Sequence, residues 1–478
     1  MTVKLLIAGD WRQPVTGDTI AVIDPSDGAE YARIGRGGAE DIDRAVKAAR
    51  AAQEGAWGRL AAVERGRLLL KLAESIAARA EELARIEARD CGKPLKQARA
   101  DAVACARYFE FYAGAADKLH GETIPYLNGY TVMTLREPHG VTGHIVPWNY
   151  PMQILGRSVA AALAAGNACV LKPAEDASMS SLRIGELATE IGFPPGAINV
   201  VPGYGEEAGA ALAGHPGVDH LSFTGSPEVG TLVQQAAARN NVPVTMELGG
   251  KSPQLVFADA DLDAALPFIV GAIVQNAGQT CSAGSRLLIE KSAFDRVADR
   301  VAEKFRALRA GSWDMDLDCG PLINRQQKAR VDGYVGGAIE AGVRKLAEGA
   351  VAPNTPTGGF YVAPSFFGPV EPMSKLGQEE VFGPVLAAIR FEDEAAAIRI
   401  ANGTPYGLVA AVWTADGGRQ LRLARALRCG QVFVNNYGAG GGVELPFGGV
   451  KRSGFGREKG FEALYGFTAL KTVAIRHG

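Results

Sequence analysis

From residue 141 onward, short apolar runs alternate with longer segments whose apolar residues recur every three or four positions. The runs Val141–Val146, Ala168–Lys172, Ile198–Val201, His220–Phe223 and Val244–Leu248 read as strands. The periodic segments Met152–Ala165, Ser178–Ile191, Glu206–Ala213 and Pro227–Asn240 read as the helices between them. Strands that are apolar on both faces belong to a parallel sheet covered by helices on each side, so the fold class is α/β. A second α/β half starts near 250 and runs to about 440, with helices over 292–309, 325–342 and 393–402 and strands near 385–391, 408–413 and 431–434. Ahead of both halves, residues 1–36 alternate short β-like runs (Lys4–Ile7, Thr19–Ile23) with turns. Helices follow over Asp41–Gln53, Ala61–Asp90 and Leu95–Leu119, punctuated by Gly92 and Pro94. Thr131–Leu135 reads as a strand between polar turns, part of a two-stranded arm that is either a subunit contact or a surface hairpin. The tail from 441 ends in an edge strand, Thr468–Ile475, and the chain has no internal repeat.

One connection between core elements stands out. Asn276–Arg286 reads NAGQTCSAGSR, with Cys281 at its centre, between an apolar helix over Ala264–Val274 and the strand-like Leu287–Ile289. A cysteine on a glycine-rich loop can be approached closely by a ligand. Free cysteines are nevertheless more often small buried hydrophobes than nucleophiles, so the rest of the chain has to decide.

Composition narrows the field. At 478 residues the chain is too long for one ordinary core, and two or three domains are expected. A formal net charge of −2 leaves no basic field for nucleic acid or an anionic membrane. The six cysteines form no CxxC pair, which argues against a disulfide framework and a zinc site and suits a reducing compartment. No metal is expected. The start, MTVKLLIAGDW, is too short in apolar residues for a secretion signal, and no window approaches ~18 uninterrupted apolar residues, so a cytoplasmic protein is expected.

Ligands of parallel sheets bind beyond the carboxyl ends of the strands, and four loops there carry chemistry. Thr224-Gly225-Ser226 runs into a helix and offers backbone N–H groups to an anion such as a phosphate, or is merely an N-cap. Lys172 and Glu175 follow a buried strand, where they can hold the two hydroxyls of an adenine-linked ribose or form a plain ion pair. A carboxylate there repels a 2′-phosphate and favours NAD over NADP. Glu247 ends an apolar strand before Gly249-Gly250, either as a general base with a raised pKa or as a structural carboxylate. Asn149, between Pro147 and Pro151, has little freedom and can serve as an oxyanion donor beside the Cys281 N–H, or as an ordinary turn residue.

Together these pieces resemble the aldehyde dehydrogenase superfamily, the NAD(P)-dependent kind with a cysteine nucleophile. The matching motifs are PWNYP (147–151), LKPAE (171–175), FTGS with Gly230, MELGGKSP (246–253), GQTCSAGSR (278–286), EEVFGP (379–384) and PFGGVKRSG (446–454), in the family's order. The resemblance implies Cys281 as nucleophile, Glu247 as general base, and Asn149 with the Cys281 backbone as oxyanion hole. It places Trp148, Lys172, Glu175, Gly225, Ser226, Glu380 and Phe382 on the cofactor. It implies a Rossmann-like cofactor domain (1–118 and 139–248), a catalytic α/β domain (249–440) and a β oligomerisation arm (119–138 and 463–478) in a homodimer or homotetramer. The implied reaction is NAD-dependent oxidation of a small aldehyde to its carboxylic acid, through a thiohemiacetal and a thioester on cysteine, with release by a Glu-activated water.

The substrate is less constrained. Arg157, eight residues after Asn149, is expected to share its face and line the substrate entrance, as in the similar succinic semialdehyde enzymes; a surface or interface ion pair is the alternative. Those enzymes' second arginine is Gln275 here, and their serine before the VE of the tail is Gly442. Tyr150, Tyr437 and Phe447 are expected to add an aromatic wall for larger aldehydes. Three rival activities remain: a CoA-acylating dehydrogenase, which commonly lacks the base that Glu247 supplies; a non-catalytic protein that keeps the fold; and a thiol hydrolase, for which only His139 and His144 lie near a site motif.

Overall fold

The computed structural model describes residues 2–438 and 442–478. Its first large sheet has eight strands in the spatial order Gly454–Phe455, Val244–Glu247, His220–Thr224, Val141–Val146, Ala168–Pro173, Ile198–Val200, Leu5–Ile7 and Asp10–Arg12. The five strands from 244 to 198 in that order are parallel. Antiparallel strands close both edges, Gly454–Phe455 on one side and the N-terminal pair on the other. The chain runs outward from Val141–Val146 in one direction, then returns to lay His220–Thr224 on its other side. That reversal opens a crevice between the loops after residues 146 and 224, the place where ligands of such sheets bind.

The helices on this sheet follow from their sequences. Pro151–Ala165 begins on a proline that presets the first turn, ends at Gly166 in the left-handed conformation, and is buried along its length except at Gln153. The helices Ala62–Ala78 and Leu95–Ala115 pack on it. The periodicity over Ala61–Asp90 predicts one helix; the structure has two, parted at Arg79, with Glu81 and Glu82 in the first turn of the second, where carboxylates favour a helix start.

The second sheet has seven strands in the order Lys345–Glu348, Ser365–Phe367, Val385–Phe391, Arg286–Glu290, Pro253–Val256, Val409–Trp413 and Gln431–Val434, all parallel except the first. A three-stranded antiparallel sheet stands apart from both. In it the tail strand Thr468–Arg476 pairs with Tyr130–Pro138 over nine positions, and Thr123–Ile124 pairs on the other side. The tail strand thus joins the hairpin in one sheet, where the resemblance placed 119–138 and 463–478 together. Architecture and class are those expected: α/β, with two parallel-sheet layers and a β arm.

Candidate active site

A cavity of about 710 Å³ opens between the loops at the carboxyl ends of the first sheet and the loops that lead into strands of the second. Trp148, Asn149, Gly225, Ser226, Glu380, Phe382 and Cys281 all line it. Residues far apart in the sequence thus share one space.

Cys281 reaches the cavity on a strained connection. Asn276 and Ala277 both take left-handed backbone (φ 47° and 52°), followed by Gly278 at φ 73°. A β-carbon on Gly278 would collide with the Gly383 carbonyl, so that position admits only glycine. Cross-loop hydrogen bonds hold the strain. Asn276 Nδ2 donates to the Asn149 carbonyl (2.9 Å), Asn149 Nδ2 donates to the Gln279 carbonyl (3.0 Å), and the Tyr150 and Thr280 hydroxyls share a bond of 2.9 Å. An amide nitrogen carries two hydrogens, so Asn149 has its orientation fixed by one and keeps the other for a ligand. Burial pushes the Cys281 thiol up to about 12; the Arg157 charge and the Ser282 N–H pull the other way.

Glu247 ends its strand and is 1% exposed, and neither carboxylate oxygen has a hydrogen-bond partner among the described residues. Gly448, whose β-carbon would stand 2.7 Å from Oε1, leaves room for the group. Burial raises its pKa well above the usual carboxylate range, the neighbouring Glu458 adds to that, and Arg157, Arg457 and Lys459 oppose it. Glu458 is itself buried, accepting from Ser222 Oγ (3.0 Å) and ion-paired with Arg157.

That pairing corrects the expectation for Arg157. Its side chain does not reach an entrance. It is 7% exposed, held by Glu458, and lies 5.0 Å from the Phe447 ring. Two turns along a helix that is buried on nearly every face, the arginine points into the protein, not toward solvent. Phe447 packs with Leu408 and Val409 against Cys281 and Tyr437, and the Tyr437 hydroxyl donates to the Ser282 carbonyl. Tyr437 and Phe447 pack beside the sulfur, and Tyr150, buried, reaches its neighbour Thr280 through its hydroxyl. His139 stacks on His220 (ring centroids 5.1 Å apart) and His144 lies 5.7 Å from Phe467, and no hydrogen bond joins either to Cys281.

On the other side of the cavity the groups suit a dinucleotide. Ser226 caps the helix Pro227–Ala238, accepting from the Val229 N–H at 3.3 Å, and the start of that helix, whose dipole favours an anion, borders the cavity. Lys172 and Glu175 stand outside the lining of the cavity and form an ion pair at 3.0 Å, with the lysine buried and the carboxylate reaching solvent. Glu380 accepts from the Gly250 N–H (2.8 Å), and burial raises its carboxyl to about 7. The Trp148 and Phe382 rings meet edge to face, their centroids 5.4 Å apart. A helix start, the Glu380 carboxyl and the Trp148 and Phe382 rings on one cavity suit a nicotinamide dinucleotide.

Sequence reasoning missed several members. Gln327 and Arg330, on the helix Arg325–Glu340, donate to the Phe382 and Glu380 carbonyls at 2.7 Å each and so hold that loop. Glu458 and Lys459 sit in the run Arg457-Glu458-Lys459 between Gly456 and Gly460; three charges among glycines were the available signal. Thr280, beside the cysteine, carries no signal of its own.

The sequence model of the aldehyde dehydrogenase family matches residues 11–473. A hydroxyisobutyraldehyde dehydrogenase of Mycolicibacterium austroafricanum is 42% identical over 475 residues, covering 98% of this chain and 93% of the relative. A crystal structure from Burkholderia cenocepacia, assigned to the aldehyde dehydrogenases, is 67% identical, with a TM-score of 0.99 over 99% of this chain and 100% of that one. PnpE from Pseudomonas sp. WBC-3, solved alone and with nicotinamide adenine dinucleotide, is 41% identical, with a TM-score of 0.97 over 100% of this chain and 98% of that one.

Proposed function

The chain belongs to the aldehyde dehydrogenase family, and from that premise we propose that it oxidises a small aldehyde to its acid with NAD, through a thioester on Cys281 that Glu247 helps to hydrolyse. The observation that carries this reading is that Cys281 and Asn149 line one cavity, with the Glu247 carboxylate, which has no hydrogen bond among the described residues, close enough to act on the sulfur by its charge.

In this reading the Cys281 thiolate attacks the aldehyde carbonyl carbon, and the carbonyl electron pair moves onto oxygen. Asn149 Nδ2 and the Cys281 N–H donate to that oxyanion. As the oxyanion re-forms the carbonyl, the aldehyde hydrogen leaves as hydride, for which a bound nicotinamide ring would be the acceptor, and a thioester remains on Cys281. Water then opens the thioester while Glu247 takes its proton, and the acid leaves as the thiol is restored. A carboxyl raised by burial and by Glu458 is suited to accept a proton near neutral pH. Glu247 also favours hydrolysis over transfer to CoA.

Glu175 supports a preference for NAD over NADP, because a carboxylate at the ribose edge repels a 2′-phosphate. The arm supports a homodimer or homotetramer: Ile124, Leu127, Leu135, Leu470 and Ile475 are exposed along it. We assign the first sheet to a cofactor domain, the second to a catalytic domain and the arm to assembly. Six free cysteines suit a reducing cytoplasm, and no helix of the described residues is long and apolar enough to cross a membrane. The locked Arg157–Glu458 pair removes the ground for choosing carboxylate-bearing aldehydes.

The test is absorbance at the NADH band with NAD and a panel of aldehydes, with and without CoA. The wild-type protein should produce NADH without CoA. Cys281→Ala should lower the rate at least about 10⁴-fold while still binding NAD, and retained turnover would refute the nucleophile.

A further inference from the structure

We propose that the buried Lys93, held between Glu87 and Asp101 and lying against the ring of Tyr150, is a positioning residue that sets the spacing between Asn149 and Cys281. This rests on the oxyanion role proposed above for Asn149.

The Lys93 side chain is wholly buried, with Nζ 2.8 Å from Glu87 Oε1 and 2.6 Å from Asp101 Oδ2. Lysines are almost never buried so completely unless paired. A buried ion cluster is a poor source of stability, because apolar residues of the same volume commonly serve as well. What such a cluster can provide is fixed geometry, and the second oxygen of each carboxylate shows where that geometry is applied. Glu87 Oε2 accepts from the Met152 N–H at 2.9 Å, and Asp101 Oδ1 accepts from Gln153 Nε2 at 2.6 Å. Lys93 Nζ itself stands 4.2 Å from the centre of the Tyr150 ring, a cation–π distance. Close by, the Cys91 thiol donates to the Trp148 carbonyl at 3.0 Å.

The segment 87–101 therefore holds residues 148, 150, 152 and 153, on both sides of Asn149, and leaves the Asn149 side chain to the cysteine loop. It holds that second loop as well. Gln97 Oε1 accepts from the N–H of the left-handed Asn276 at 2.8 Å, and Tyr150, pinned by Lys93, reaches Thr280 beside the sulfur. Oxyanion donor and nucleophile are thus registered through one clasp. The charges acting most on Cys281 are those of Arg157, Glu380 and Glu247, so Lys93 is placed to govern distance while leaving the reactivity of the sulfur alone.

That division gives the test. Attack on a carbonyl develops an oxyanion and needs Asn149 in register, and a misplacement of about 1 Å costs about 10²-fold. Alkylation of Cys281 by iodoacetamide develops no oxyanion. Lys93→Met should lower kcat/KM for an aldehyde about 100-fold, and Tyr150→Phe, which keeps the ring but loses the bond to Thr280, about 10-fold. In both variants the Kd for NAD and the rate of Cys281 alkylation should stay within about twofold of wild type. Wild-type kcat/KM in both variants would overturn the proposal, and so would equal losses in oxidation and alkylation, which mark general loosening. If Lys93→Met fails to fold, Tyr150→Phe alone decides by the same two readouts. A wild-type protein that makes no NADH from any aldehyde would overturn the parent reading instead, before any variant is compared.

Discussion

Two clusters of buried charge serve the Asn149–Cys281 pair, one through Tyr150 and one acting on the sulfur, and they are built oppositely. Around Lys93, one cation meets two carboxylates and every carboxylate oxygen has a donor: Lys93, Met152 N–H, Gln153. Around Glu247, Arg157 is committed to Glu458, and the Glu247 oxygens are left without a hydrogen bond among the described residues. A satisfied buried network is rigid and specifies one geometry, whereas an unsatisfied buried carboxylate is costly and persists where a ligand or a reaction uses it. The difference separates scaffold from chemistry without reference to any family. Burial brings the nearby Lys459 down to about 7 and raises Glu87 in the other cluster to about 7, so it is hydrogen bonding, and not pKa, that tells the two clusters apart.

The largest effect expected from breaking this contrast is at Glu247. Glu247→Gln keeps the volume and removes the proton acceptor, so thioester hydrolysis should slow about 10³-fold while acylation proceeds. Stopped-flow absorbance should show a burst of one NADH per active site followed by a slow steady state. A full steady-state rate with no burst would return Glu247 to the structural carboxylates, the company of Glu87.

The next effect is on pH dependence. Burial raises the Cys281 thiol to about 12. A thiol is neutral when protonated, so a raised pKa means less thiolate at any given pH, and the thiolate fraction climbs as pH rises toward that value. In the cofactor-free protein the iodoacetamide alkylation rate should therefore rise about tenfold per pH unit from 7 to 10, without levelling near the ordinary cysteine value of about 8.5. Arg157 favours the thiolate by its charge, so Arg157→Met should lower the whole profile severalfold. A plateau near 8.5 would show that the sulfur is better solvated than its burial implies.

The contrast between the clusters also marks what the sequence made legible. Strand-end residues were readable because the parallel sheet announces its own topology: apolar runs such as Val141–Val146 fix where Asn149 must sit. Lys93 was not, since Gly92-Lys93-Pro94 reads as punctuation between helices and its partners come from two different helices, α-helical residues 87 and 101. Arg157 was misplaced for a related reason. Helical spacing puts it on the same side as Asn149, but only packing shows that nearly every side of that helix is covered. The strand Pro253–Val256 is four residues long and opens on a proline, and the helix Gly417–Ala426 opens on two glycines behind its Asp416 cap, so both fell below local signal.

The smallest expected effect lies at the Lys172–Glu175 pair, which grades from buried to solvent-reaching. Here the carboxylate is neither locked like Glu87 nor bare like Glu247. It has one partner, Lys172 Nζ at 3.0 Å, and its remaining lone pairs are open to a ligand hydroxyl. A 2′-phosphate brought to that carboxylate meets repulsion that solvent partly screens, so the penalty is modest compared with one in the interior. Glu175→Ser removes the charge and retains a hydroxyl that can still bond a ribose. We expect the KM for NADP to fall about tenfold and the KM for NAD to rise about two- to threefold, with kcat unchanged for both, since the change acts only on binding. High salt should narrow the wild-type difference and leave the variant nearly unaffected, because only the wild type carries the screened charge. An NADP KM that does not move in Glu175→Ser would place cofactor selection at other residues and leave Glu175 as a partner for Lys172 alone.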